Sequence, residues 1–140
     1  MHKPKPNLQP TTMIPVFLET STGMLDAAAE QLESLKKAKG RAHVLNDEMV
    51  ERILKVFTEQ TDYIPLYLQQ CQHWRKEELN ERQGQWLSEM ENNIKSLAKV
   101  NQEILALVKS YQGKTINKVL NIDEAELLDS LLSGKIDSSF

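Results

Sequence analysis

The chain has 140 residues, 40% of them hydrophobic and 26% charged, with a formal net charge of −3. That length and balance suit one globular domain that can bury a core without metals or disulfides. Five glycines and five prolines leave too little turn material for a sandwich or barrel, and the net charge has the wrong sign for a dedicated nucleic-acid binder.

Residues 1–15 hold Pro4, Pro6, Pro10 and Pro15. Proline cannot donate a backbone hydrogen bond, and the residue before it avoids the helical region, so residues 1–19 are expected to form an extended or disordered arm, with residues 14–18 (IPVFL) anchoring its end on the body. Its apolar run, MIPVFL, is too short and too proline-broken for a signal peptide.

Helical periodicity begins at about Thr20. Leu25, Ala28, Ala29, Leu32, Leu35 and Ala38 recur at threes and fours, and Gly40 suits the C-cap. Lys36, Lys37, Lys39 and Arg41 form the densest basic cluster, which fits the negative end of a helix dipole. Asn46 reads as the N-cap of the next helix, with Asp47 and Glu48 in its first turn and Leu45 and Val50 at the hydrophobic-staple positions. Val50, Ile53, Leu54, Phe57, Ile64, Leu68 and Cys71 continue one apolar stripe. Pro65 interrupts it, which predicts a kink near residues 61–64 or two abutting helices.

The stretch CQHWRKEELNERQGQW at residues 71–86 is far more polar than its neighbours. Two arrangements fit it: a single helix over about residues 66–112, with Trp74 and Trp86 facing different ways, or a reversal between Leu79 and Gly84 that makes a hairpin with a wet tip. The hairpin is favoured because an uninterrupted helix of that length is rare in a domain of this size, and a reversal centred near Asn80 would bring Trp74 against Trp86. His73 and Glu77 share a helical face, but two ligands are too few for zinc. Cys71 and His73 are two residues apart, which puts them on different faces of a helix and argues against a thiolate with its base. As the only cysteine, Cys71 can form no intrachain disulfide and is expected to be a small core residue.

The clearest pattern follows. Leu87, Met90, Ile94, Leu97, Asn101, Ile104, Val108 and Tyr111 alternate spacings of three and four, a heptad seam over roughly 37 Å of helix. Asn101 falls at an a position, where a lone buried amide sets register at some cost in stability. Trp86, Val100, Leu105 and Leu107 widen the seam beyond that of a two-stranded zipper, so a bundle of several helices is expected. After Gly113 comes a linker, then IDEAELLDSLLSG. Asp123 and Glu126 fit a capping box, Gly134 fits the C-cap, and Leu127, Leu128, Leu131 and Leu132 form a leucine face opposite an acidic one.

The expectation is therefore all-α: a helical bundle of three long helices, one kinked near Pro65, plus a short C-terminal helix. Residues 1–19 form the arm, 20–134 the single domain and 135–140 a tail. No phosphate-binding glycine loop, paired Cys-x-x-Cys, H-E-x-x-H or G-x-S-x-G is present in the sequence. No catalytic residue, metal site or cofactor is expected. The expected function is a non-catalytic interaction module, adaptor-like, chaperone-like or structural. It would bind a partner helix, or itself as a homo-oligomer, through apolar helical faces, with Leu127, Leu128, Leu131 and Leu132 as contacts. The competing expectation is a regulatory accessory protein that contacts nucleic acid through the basic cluster. No stretch approaches the roughly 20 apolar residues of a membrane span, and a cytoplasmic location is expected.

Overall fold

The computed structural model describes residues 8–115. Within that range all regular structure is helical. A 3-10 turn at Thr11–Met13 leads into α1 (Ile14–Lys37), a second at Ala42–Val44 precedes α2 (Asp47–Arg75), and α3 covers Glu81–Tyr111. The C-terminal helix expected over residues 123–134 lies outside the described residues.

Helix α1 starts at Ile14, not at about Thr20, so residues 14–19 are helical and not part of an extended arm. Pro15 lies in the first turn, where a missing N–H costs nothing because those donors have no partner inside the helix. Burial also fixes this start: Ile14 is fully buried, and Phe17 and Leu18 pack beside it. The hydroxyls of Thr20 and Thr22 donate to the carbonyls of Val16 and Leu18 one turn back, so neither side chain competes with the helix. The helix closes with Lys36 and Lys37 in its last turn, and Gly40 takes the left-handed backbone that reverses the chain (φ +79°).

Asn46 caps α2, its side chain accepting from the Met49 N–H at 2.8 Å, and both staple residues, Leu45 and Val50, are buried. The helix then runs as one element through Pro65, not as two abutting helices. Pro65 is exposed, so the carbonyl it leaves unpaired one turn earlier lies on the wet side. The Thr61 hydroxyl donates to the Phe57 carbonyl at 2.7 Å. Phe57 and Ile64 before the proline, and Cys71 and Trp74 after it, hold the inner face in the core.

The reversal occupies residues 76–80. Asn80 then caps α3 in a reciprocal box: its side chain accepts from the Gln83 N–H (2.8 Å), and its own N–H donates to the Gln83 side chain (3.1 Å). All eight seam residues of α3 are buried. They meet both other helices, which makes α3 the spine of the bundle.

Two pairings give the direction of each helix. Ile14 shares a cluster with Trp74 and Leu87, and the Tyr111 hydroxyl donates to the Leu35 carbonyl at 2.7 Å. Helices α1 and α3 are therefore parallel, with α2 antiparallel to both. The core has two parts. One, around Trp74, Leu87 and Met90, lies by the α2–α3 reversal. The other, around Leu35, Phe57, Ile104 and Val108, lies by the α1–α2 connection. Polar contacts mark the waist: the Asn93 amide donates to the hydroxyls of Ser21 (3.2 Å) and Thr22 (3.0 Å). At the far end, Thr115 is buried and its hydroxyl donates to the Asp47 carboxylate.

Candidate functional site

The hairpin end gathers the residues that look most chemical in the sequence, and the structure gives them structural partners. Cys71 is buried, and burial is the main cause pushing its thiol from an ordinary value of 9.0 up to about 11; the Glu91 carboxylate adds to the rise and Arg75 opposes it. A neutral buried thiol is a poor nucleophile. His73 Nε2 stands 3.6 Å from a Glu77 carboxylate oxygen, both side chains being well exposed. Among the described residues no three His, Cys, Asp or Glu side chains come together as a metal site would require.

Trp74 is fully buried, and the ring it meets is Phe17 of α1, edge to face at 5.3 Å, not Trp86 as expected from the hairpin alone. Trp86 is half-buried under the Arg82 guanidinium at 5.2 Å. The early start of α1 is what brings Phe17 to the Trp74 ring. The Trp74 indole N–H donates to the Gln9 carbonyl at 2.8 Å. Gln70 grips the same residue: its Oε1 accepts from the Gln9 N–H (2.7 Å) and its Nε2 donates to the Gln9 carbonyl (3.3 Å). One buried amide thus pairs both backbone groups of Gln9 and holds the segment before α1 in place. Arg75 fastens the reversal from outside by pairing with Ser88 and Glu91 of α3.

Asn101 lies fully buried in the seam. Its amide donates to Gln60 Oε1 of α2 at 2.8 Å, so its partner belongs to the same chain. The other end, Oδ1, is buried with no hydrogen-bond partner.

Two outward surfaces remain. On α2, Met49, Val56 and Tyr63 follow one another at seven-residue intervals and keep 43%, 46% and 46% of their surface exposed. They form a nearly straight apolar row about 21 Å long that borders the core stripe, each residue standing one position before a buried one (Val50, Phe57, Ile64). The second surface is an open groove of about 450 Å³ between α1 and α3. Leu32, Ala106 and Leu107 line it, Lys36 and Lys39 flank it on α1, and Glu103 lies at its lower end. Lys36, Lys37, Lys39 and Arg41 are all exposed at the end of α1. Leu127, Leu128, Leu131 and Leu132 lie outside the described residues.

The α2 row was not singled out from the sequence, although its signal is there. Met49–Val50, Val56–Phe57 and Tyr63–Ile64 are apolar pairs seven residues apart, and only the second member of each belongs to the core stripe. The Gln70 grip on Gln9 has no comparable signal, because it joins residues 61 apart through a side-chain amide. Compared with known proteins, the chain matches no family model, no curated protein and no solved structure. No helix among the described residues is long and apolar enough to cross a membrane.

Proposed function

We propose that this protein is a non-catalytic interaction module that binds a partner helix, or a second copy of itself, through apolar helical faces. The exposed row Met49, Val56 and Tyr63 carries this reading. Side chains at i, i+7 and i+14 are the anchors by which one helix docks along another. The row stands on a helix whose adjoining stripe is buried in the core, so little order is lost on binding. Leu127, Leu128, Leu131 and Leu132, which lie outside the described residues, are proposed as a second set of contacts.

The test replaces Val56 and Tyr63 together by Glu in the full chain. Self-association is followed by light scattering over rising concentration, and partner capture by co-purification from native cells. The double variant should keep its helical circular-dichroism signal and lose roughly a hundredfold in affinity, as expected when two central apolar anchors are removed. Association unchanged by the substitutions, or a wild-type chain that stays monomeric and captures nothing, refutes the reading.

A further inference from the structure

We propose that the cavity enclosed by the three helices beside Phe17 and Tyr67 is a binding site for a neutral, single-ring aromatic molecule of about the size of benzene. It is separate from the apolar row on α2 and does not depend on what that row binds.

The side chains of α1 leave the gap. Phe17, Thr20, Ser21 and Met24 share one face of that helix, with two short hydroxyl residues standing between two long apolar ones. The backbones of α1 and α2 scarcely approach one another, each packing mainly on α3, so the space over Ser21 stays open. Tyr67 of α2 lines it, together with Met90 and Ile94 of α3, both fully buried. The result is a cavity of about 130 Å³. A dry apolar cavity of roughly 150 Å³ in a protein core takes up one benzene ring.

The chemistry of the lining selects the ligand. No charged side chain among the described residues lines the cavity, so a charged molecule would lose its hydration and gain no partner. The α1 hydroxyls are already committed. Thr20 donates to the Val16 carbonyl at 2.9 Å, and Ser21 donates to the Leu18 carbonyl at 2.9 Å and accepts from the Asn93 amide at 3.2 Å. The Tyr67 hydroxyl makes no hydrogen bond to another described residue, but one such group is fewer than the roughly two to four partners that hold a buried water. An apolar occupant therefore displaces no well-held water. Sulfur and ring contacts favour an aromatic one. Met24 and Met90 present polarisable thioethers, and the Phe17 ring, set edge to face with Trp74 at 5.3 Å, is a wall already in position.

The test follows the methionine methyl resonances of the full chain, isotope-labelled in those methyls, as benzene is added. The signals of Met24 and Met90 should shift and saturate, while that of Met49, exposed and outside the cavity, should stay in place. Cyclohexane, similar in size but without a π system, should bind severalfold more weakly. Thr20 lies at the exposed edge of the cavity, so Thr20→Trp should cover the opening and weaken benzene roughly tenfold or more while the helical circular-dichroism signal is kept. The proposal is overturned if the Met24 and Met90 signals never saturate, if Met49 shifts alongside them, if cyclohexane binds as tightly as benzene, or if a folded Thr20→Trp chain binds unchanged. Should that variant unfold, the contrast of Met24 and Met90 with Met49 in the unsubstituted chain decides alone.

Discussion

Asn101 shows how one residue can trade stability for specificity. One end of its amide meets Gln60, and the other is buried without a partner. An orphaned buried acceptor costs about 1–3 kcal/mol, so Asn101→Leu should raise unfolding stability in urea by roughly 1–2 kcal/mol. Gln60 is only partly buried and can turn to water. The same substitution removes the feature that makes this level of the seam unlike the others, so α2 and α3 should pack less uniquely, with broadened amide resonances. A stability loss above 1 kcal/mol would mean that the amide pair outweighs its orphaned end.

At the scale of elements, local chemistry explains where helices begin and core burial explains why they continue. Asn46 and Asn80 each place a side-chain oxygen on an N–H three residues on, and both helices start directly after them. Pro65 shows the opposite case. A proline in a helix interior costs about 3 kcal/mol, yet α2 persists because apolar residues on both sides of it are buried against α3. Since Pro65 is itself exposed, Pro65→Ala restores a backbone bond without removing core contacts. It should stabilise the chain by about 1–3 kcal/mol, measured as a shift of the urea midpoint at constant slope. No gain would show that the helix is built around the proline. The early start of α1 follows the same logic: the sequence pattern placed residues 14–19 at the end of a proline-rich arm, but burial of Ile14, with Phe17 and Leu18 packed beside it, carries the helix through them.

For the whole molecule, burial of weak acids in both halves of the core predicts a weakness at high pH. Burial raises the thiol of Cys71 and the phenols of Tyr67 and Tyr111, with Tyr63 adding to the rise at Tyr67. Each group stays protonated in the folded chain at a pH where the unfolded chain has begun to lose its proton. The unfolded state then binds fewer protons, so stability falls as pH rises. The loss should begin near pH 9, the ordinary thiol value, and continue through pH 11, where the buried thiol itself titrates. Urea midpoints measured from pH 8 to 11 should hold at first and decline from about pH 9 upward, and Cys71→Ala should flatten the first part of that decline. A level profile would contradict the burial of these groups. Tyr111 adds a direct reason, since only the protonated phenol can donate to the Leu35 carbonyl.

The sequence by itself determined the helical class, the cap at Asn46 and the inward face of α3, because each depends on residues within a few turns of one another. Every seam position named from its spacing, from Leu87 to Tyr111, is buried. Only the tertiary structure decided that α2 crosses Pro65 unbroken, that Phe17 meets Trp74, that Gln70 grips Gln9, and that Asn101 pairs within its own chain. The outward row on α2 and the groove beside α1 belong to the same group, for spacing shows which residues share a face but not which face a neighbouring helix covers. These features join segments tens of residues apart, and their energies arise only once the helices have packed.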